Sequence, residues 1–344
     1  MKNIQDTTHS LLNWFLDARS NVLDMEGEHR PIEMAKHISC CYKNIDFQNL
    51  DINSITKDGD AIDVDLYLTQ DKEYRKLVVK LFDFINQEMC KYISHSFLIG
   101  SLSTLDYKKG WSDVDIFIVL KDSAVEDYMK LVELRNVCYK AWDIFKEISP
   151  LQHHGFIVVT AKDLLHYPEY YMPPAVFDYS KKILDKQSCI SFNVCRRDSG
   201  ALGNLKARLD VILMAEKTGV YKHHPKKGKY LKARFANSDD SMYQLYCFLG
   251  YIMLIPSLYM SSIGKSCYKR DSFILAKHAF SSESWSLIQR ASIIRNNWEL
   301  EEGVKYTGNS IPLWVQGILG DSYIIEAKHL MKEVILNINR YNGV

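Results

Sequence analysis

The sequence predicts an α/β (α+β) domain followed by an all-α domain. Between residues 71 and 197, short runs of β-branched and aromatic residues alternate with long amphipathic stretches, as they do where strands and helices are layered on one core. From Asp198 onward the apolar residues recur at helical spacing. A length of 344 residues accommodates a core for each part.

Each element follows from local pattern. Leu11, Leu12, Phe15, Leu16, Val22 and Leu23 mark a helix over 7–25. A mixed, loop-rich segment follows it, so residues 1–70 read as an N-terminal extension. The stretch "KEYRKLVVKLFDFINQEMCKYI" (72–93) is an amphipathic helix with Leu77, Val78, Leu81, Phe82 and Ile85 on one face. "SFLIG" (96–100) and "DVDIFIVL" (113–120) read as strands, 123–148 as one long helix, and "HHGFIVVT" (153–160) as a further strand. The second domain, 198–344, opens with a helix from Asp198 to a stop near Gly219. It continues through "DSMYQLYCFLGYIML", "SSESWSLIQRASIIRNNW" and "SYIIEAKHLMKEVILNINRY".

Composition narrows the function. The chain is 47% hydrophobic and 25% charged with a formal net charge of +1, which gives no global signal for a nucleic-acid or membrane partner. Eight scattered cysteines form no C-x-x-C pair, so a thiolate zinc cluster or redox motif is not expected. Free thiols and the absence of a secretory pattern at "MKNIQDTTHS" lead to a cytoplasmic expectation. The longest apolar run, 245–260, falls short of a bilayer span and contains Pro256, so it reads as a buried helix.

Two Asp-Val-Asp triplets carry the chemical interest. In a strand, residues i and i+2 share a face, so Asp113 and Asp115 present two carboxylates side by side with Val114 turned inward. Two such anions repel unless a cation joins them. Paired oxygen ligands suit Mg²⁺, which takes one or two carboxylates together with phosphate oxygens. Asp63 and Asp65, in "IDVDLYLT", lack any Gly-Ser turn before them and read as the solvated face of a half-buried strand. The second triplet has such a turn: "FLIGS" breaks into Gly100-Ser101 about eleven residues before Asp113. Gly allows close approach of the backbone to a phosphate, and Ser adds a hydroxyl.

The pattern "LIGS…SDVDIFI", at Gly100, Ser101, Ser112, Asp113 and Asp115, resembles the signature of the DNA polymerase β-like nucleotidyltransferase superfamily. It covers about 25 residues closely and the element order of 75–165 loosely. The resemblance implies a mixed sheet packed on helices, with an NTP and two divalent ions at the Gly-Ser turn. Asp113 and Asp115 would ligate Mg²⁺ (or Mn²⁺), and Gly100, Ser101 and Ser112 would hold nucleotide. Members of the family usually add a third carboxylate on a later strand. Here that strand offers Gln152, His153 and His154 instead. His154 could act as base or second metal ligand, or the pair could be hydrogen-bonded structure. Asp163 and Asp185 are the alternative acids.

In the helical half, "YKHHPKKGKYLKARF" (221–235) interleaves basic and aromatic residues. Lys226, Lys227 and Lys229 could contact the triphosphate, as the family's helical domain does. They could instead meet a nucleic-acid backbone, or form a solvated loop. "IGKSCYKRDS" (263–272) lacks the strand and glycine spacing of a P-loop. Tyr167, Tyr170 and Tyr171 read as cover for a core edge, with base stacking as the alternative. The expected activity is transfer of NMP from an NTP to a hydroxyl of a small molecule, protein or RNA (a toxin acting on tRNA among them). The alternative is a nucleotide-binding module without turnover.

Overall fold

The computed structural model describes residues 4–18, 30–45, 52–62, 72–149, 152–169, 171–184, 187–195, 200–222, 241–298 and 311–343. Asp63, Asp65, Tyr170, Asp185, the His223-His224 pair, Lys226, Lys227 and Lys229 lie outside these residues.

Two mixed sheets and a surrounding set of helices make up the first half. In chain order it runs α1 (Ile4–Leu16), α2 (Arg30–Lys43), β1 (Ile52–Lys57), β2 (Asp60–Ala61) and α3 (Lys72–Phe84), which ends in a π-turn at Ile85–Met89. Then come β3 (Ile93–Ile99), β4 (Asp115–Leu120), α4 (Tyr128–Ile148), β5 (Ile157–Thr160), β6 (Tyr167–Pro168), β7 (Lys181–Lys182) and β8 (Ile190–Cys195). The larger sheet has the order β2-β7-β3-β4-β5 and the smaller β1-β8-β6. β3 runs antiparallel to β4, and β4 parallel to β5.

β4 is buried on both faces, which explains its unbroken apolar run. Ile116, Ile118 and Leu120 join β3's Leu98 in a core with α1, α2, α3 and α4. Phe117 and Val119 point the other way, with Phe97 and Ile99, onto Phe177, Phe192 and Val194. Both faces therefore follow the two-residue strand period.

Three expectations change. The N-terminal residues are no separate extension: Leu12, Phe15, Ile38 and Tyr42 are wholly buried in the first core, and β1 pairs with β8 along its full length. The described part of 1–70 thus belongs to the α/β unit. α2 was not expected, although Ala35, Ile38 and Tyr42 have the i, i+3, i+7 spacing of a helix face. The long helix over 123–148 is broken, because Asp127 caps α4 by accepting the amides of Met129 and Lys130 at 3.0 and 3.4 Å.

The second half is helical: α5 (Gly200–Thr218), α6 (Ser241–Ser262), α7 (Lys269–Leu275), α8 (Ser282–Asn296), α9 (Leu313–Leu319) and α10 (Tyr323–Tyr341). Within α6, Gln244–Ser262 is long and apolar enough to cross a membrane, so its length does not exclude a span. Of that stretch, however, 67% is buried inside the protein, and Leu249, Ile252 and Ile255 lie in the second core. That core also holds Trp111, donated by the loop between β3 and β4.

Candidate carboxylate–histidine site

The register of the larger sheet builds the site. Ile99, the last residue of β3, pairs with Asp115, the first of β4. The chain leaves β3 through Gly100, at φ +73°, directly beside that aspartate. A β-carbon on Gly100 would fall 2.1 Å from Asp115 Oδ2. Only glycine meets both demands, a left-handed backbone and no side-chain volume.

β5 brings the histidines. Phe117 pairs with Ile157, and the same offset carried back along both chains sets His153 opposite Asp113. The strand proper starts at Ile157, later than the sequence predicts, and Asp113 precedes β4. Gln152 replaces the missing strand pairing. Its buried amide accepts from Val114 N at 2.9 Å and donates to Val114 O at 3.2 Å and to His154 O at 2.6 Å. The side chain thus acts as a length of strand backbone between the aspartate and histidine segments.

The result is one cluster. His154 Nε2 lies 3.2 Å from Asp113 Oδ2 and 3.1 Å from Asp115 Oδ1, and His153 Nδ1 lies 3.2 Å from Asp113 Oδ2. One imidazole nitrogen reaching both aspartates shows that they face the same side. All four side chains are half-buried. His154 Nδ1 sits 2.8 Å from its neighbour's carbonyl, Gly155 O, which accepts a hydrogen bond from that nitrogen and leaves Nε2 turned to the carboxylates. Asp113, His153 and His154 form a triad able to hold a metal ion.

The electrostatics divide the two acids. Burial alone would lift the Asp113 carboxyl, but the His154 hydrogen bond and both imidazoles hold it below the usual carboxylate range. Burial and the adjacent Asp113 raise Asp115. Burial opposes protonation of His154, yet its bonds to Asp113 and Asp115 win, and its pKa rises well above the ordinary value. The shift favours the imidazolium form of His154 between the two carboxylates.

The helical half closes the site with residues that the sequence reading passed over. Tyr246 of α6 is buried near Asp113 and Asp115, burial and both charges raising its pKa, and meets the His153 ring edge-on, 5.3 Å between centroids. Tyr268 donates its hydroxyl to Gly100 O at 2.9 Å. Lys269, half-buried at the start of α7, lies in the field of Asp113 and Asp115, with no carboxylate within 4.0 Å of its amine among the described residues. Burial and nearby Arg295 lower its pKa. Tyr268 and Lys269 come from "IGKSCYKRDS", which is no P-loop but does deliver a cation. Its Tyr-Lys-Arg run was the available signal.

Other expected residues fall elsewhere. Ser112 is buried, and its hydroxyl accepts Lys108 N at 2.8 Å. It closes the loop turn rather than facing the carboxylates. Ser101, half-buried, follows Gly100 in the turn, and its carbonyl accepts Asp106 N at 2.9 Å. Asp163 is no third acid: Thr160 donates its amide and hydroxyl to Oδ2 at 2.9 and 2.8 Å, and Gln5 donates to Oδ1 at 3.1 Å. Tyr167 is buried and Tyr171 stacks on His9 at 3.6 Å, which leaves both as core cover.

Two carboxylates fit Mg²⁺, while the two imidazoles widen the donor set toward metals that accept nitrogen. Compared with protein-family models, with curated proteins and with solved structures, the chain has no significant match.

Proposed function

We propose that the chain is a divalent-metal-dependent nucleotidyltransferase of the polymerase β-like type. It would transfer NMP from an NTP to a hydroxyl acceptor and release pyrophosphate. The contact between Gly100 and Asp115 carries this reading. The two halves of the signature, a glycine turn and a pair of carboxylates, form one surface at adjoining strand ends.

Asp113 and Asp115 would hold the Mg²⁺ or Mn²⁺, which supplies charge neutralisation at the phosphates when bound. Gly100 keeps the turn free of side-chain volume. Lys269 would add positive charge near the carboxylates, one of the roles open to Lys226, Lys227 and Lys229, which lie outside the described residues. The acceptor oxygen would form a bond to the α-phosphorus as the bond to pyrophosphate breaks, and its proton would pass to water.

The histidines in place of a third acid favour a second reading, a module that binds nucleotide without turnover. Thermal unfolding against ATP, GTP, CTP and UTP, with and without Mg²⁺, tests binding. A hundredfold excess over Kd adds about 2.7 kcal/mol, and Asp113→Asn/Asp115→Asn should abolish that gain. Pyrophosphate release with an acceptor then separates enzyme from module. No metal-dependent shift in wild type would end both readings.

A further inference from the structure

We propose that Asp113, His153 and His154, with Asp115 as fourth donor, form a site for a borderline divalent transition ion such as Co²⁺ or Zn²⁺. The site takes this ion in preference to Mg²⁺ and without nucleotide. The inference deepens the reading above by sharing its carboxylates, but it needs no transfer chemistry.

Donor chemistry is the first argument. Imidazole nitrogen suits borderline ions such as Co²⁺ and Zn²⁺, whereas Mg²⁺ seeks oxygen and retains its water. A site designed by its residues for Mg²⁺ alone would gain nothing from two imidazoles at its centre.

Spacing is the second. The donor atoms lie 3.1–3.2 Å apart along three edges: Asp113 Oδ2 to His153 Nδ1, Asp113 Oδ2 to His154 Nε2, and Asp115 Oδ1 to His154 Nε2. Ligands about 2.0–2.1 Å from a tetrahedral ion stand about 3.3 Å from one another. Three of the donor separations are therefore already close to those of coordination, and the donors of Asp113, His153 and His154 all lie within 4.8 Å of one another.

Outer support is the third. A metal-bound histidine usually turns its other nitrogen to a carbonyl or carboxylate. His154 Nδ1 meets Gly155 O at 2.8 Å, so Nε2 is the nitrogen presented to the ion. Tyr246 packs edge-on against the His153 ring, 5.3 Å between centroids, and Gln152 fixes the backbone of His154 against Val114. His154 is therefore held through both its ring nitrogen and its backbone carbonyl. The Lys269 amine lies beyond ion-pair reach of both acids, so it does not occupy the centre.

The test uses the full chain, stripped with chelator and free of nucleotide. Titration with Co²⁺ should give visible absorption bands of a nitrogen-ligated ion, saturating at one equivalent. Calorimetry should show Zn²⁺ or Co²⁺ binding at least tenfold tighter than Mg²⁺. His154→Gln and His153→Gln should each weaken Co²⁺ by tenfold or more while leaving Mg²⁺ within about twofold. The exposed His278, changed to Gln, should alter nothing. Should His154→Gln fail to fold, His153→Gln and the wild-type spectrum still decide. Equal affinity for Mg²⁺ and Co²⁺, unaltered Co²⁺ affinity in a folded histidine variant, or no binding by wild type would overturn the proposal. In the last case the imidazolium alone would be satisfying both acids. If Co²⁺ binds as stated but no NTP does, the nucleotidyltransferase reading fails and this one stands. If Mg-NTP turns over while the histidine variants bind Co²⁺ normally, the reverse holds.

Discussion

Tyr268 donates its hydroxyl to the carbonyl of Gly100 across 168 residues of sequence, at 2.9 Å. The helical half thereby holds the turn on which the carboxylate site depends. Tyr268→Phe removes this bond and little volume. It should cost about 0.5–1.5 kcal/mol in denaturant unfolding. It should also weaken whatever ligand the Gly100 turn binds, measured by the thermal shift that ligand produces.

Gly100→Ala should do more damage at the site than to the whole. The left-handed backbone costs about 1–2 kcal/mol with a side chain, and the new methyl must displace the Asp115 carboxylate. We expect a folded protein of reduced stability that has lost metal-dependent nucleotide binding. Circular dichroism together with calorimetry against Mg-NTP checks both halves.

Gln152→Leu keeps the size of a buried side chain but removes its hydrogen bonds. Val114 N, Val114 O and His154 O would each lose a partner, and a stranded buried group costs about 1–3 kcal/mol. Destabilisation of about 3 kcal/mol is expected from urea unfolding, with altered NMR shifts for the rings of His153 and His154. A change below about 0.5 kcal/mol would show that Gln152 does not join the two segments.

Asp163 predicts a pH dependence away from the site. Burial would raise its carboxyl, but bonds from His9, Gln5 and Thr160 outweigh that and hold it low. A depressed folded value means that the carboxylate stabilises the protein above the unfolded pKa, about 3.9. The contribution disappears as pH falls through the folded value. Asp163→Asn should therefore be less stable than wild type at pH 7. The gap should be constant down to about pH 5 and then narrow with further acidification. Paired urea titrations across that range read it directly.

The strands and helices nearest the site were legible because their patterns are local. β4's two-sided apolar run and α3's amphipathic face need no partner to be recognised. Asp113 and Asp115 could be read as facing one side because a strand's period is two. The joining of Gly100 to Asp115 follows from an antiparallel pair, which the sequence expectation reached only through resemblance. What escaped was what depends on distant packing. Gln152 substitutes for strand hydrogen bonds, a role no spacing reveals. Asp163 has the composition of a spare acid, but its partners Thr160 and Gln5 make it a cap. Lys269 and Tyr246 reach the cluster only because helices α6 and α7 pack over it.

Trp111 has a kinetic consequence. It leaves the loop between the glycine turn and the carboxylates and packs against Tyr246 and Trp298, with ring centroids 5.0 and 4.9 Å away. Contacts so far apart in sequence form late, since closing long loops is slow. A chain made from its N-terminus holds both motif halves well before Trp298 exists for Trp111 to meet. Until then the loop has at most one of its two aromatic anchors. Assembly of the site therefore requires the chain through Trp298, and a product truncated before α8 would carry the signature without that anchor.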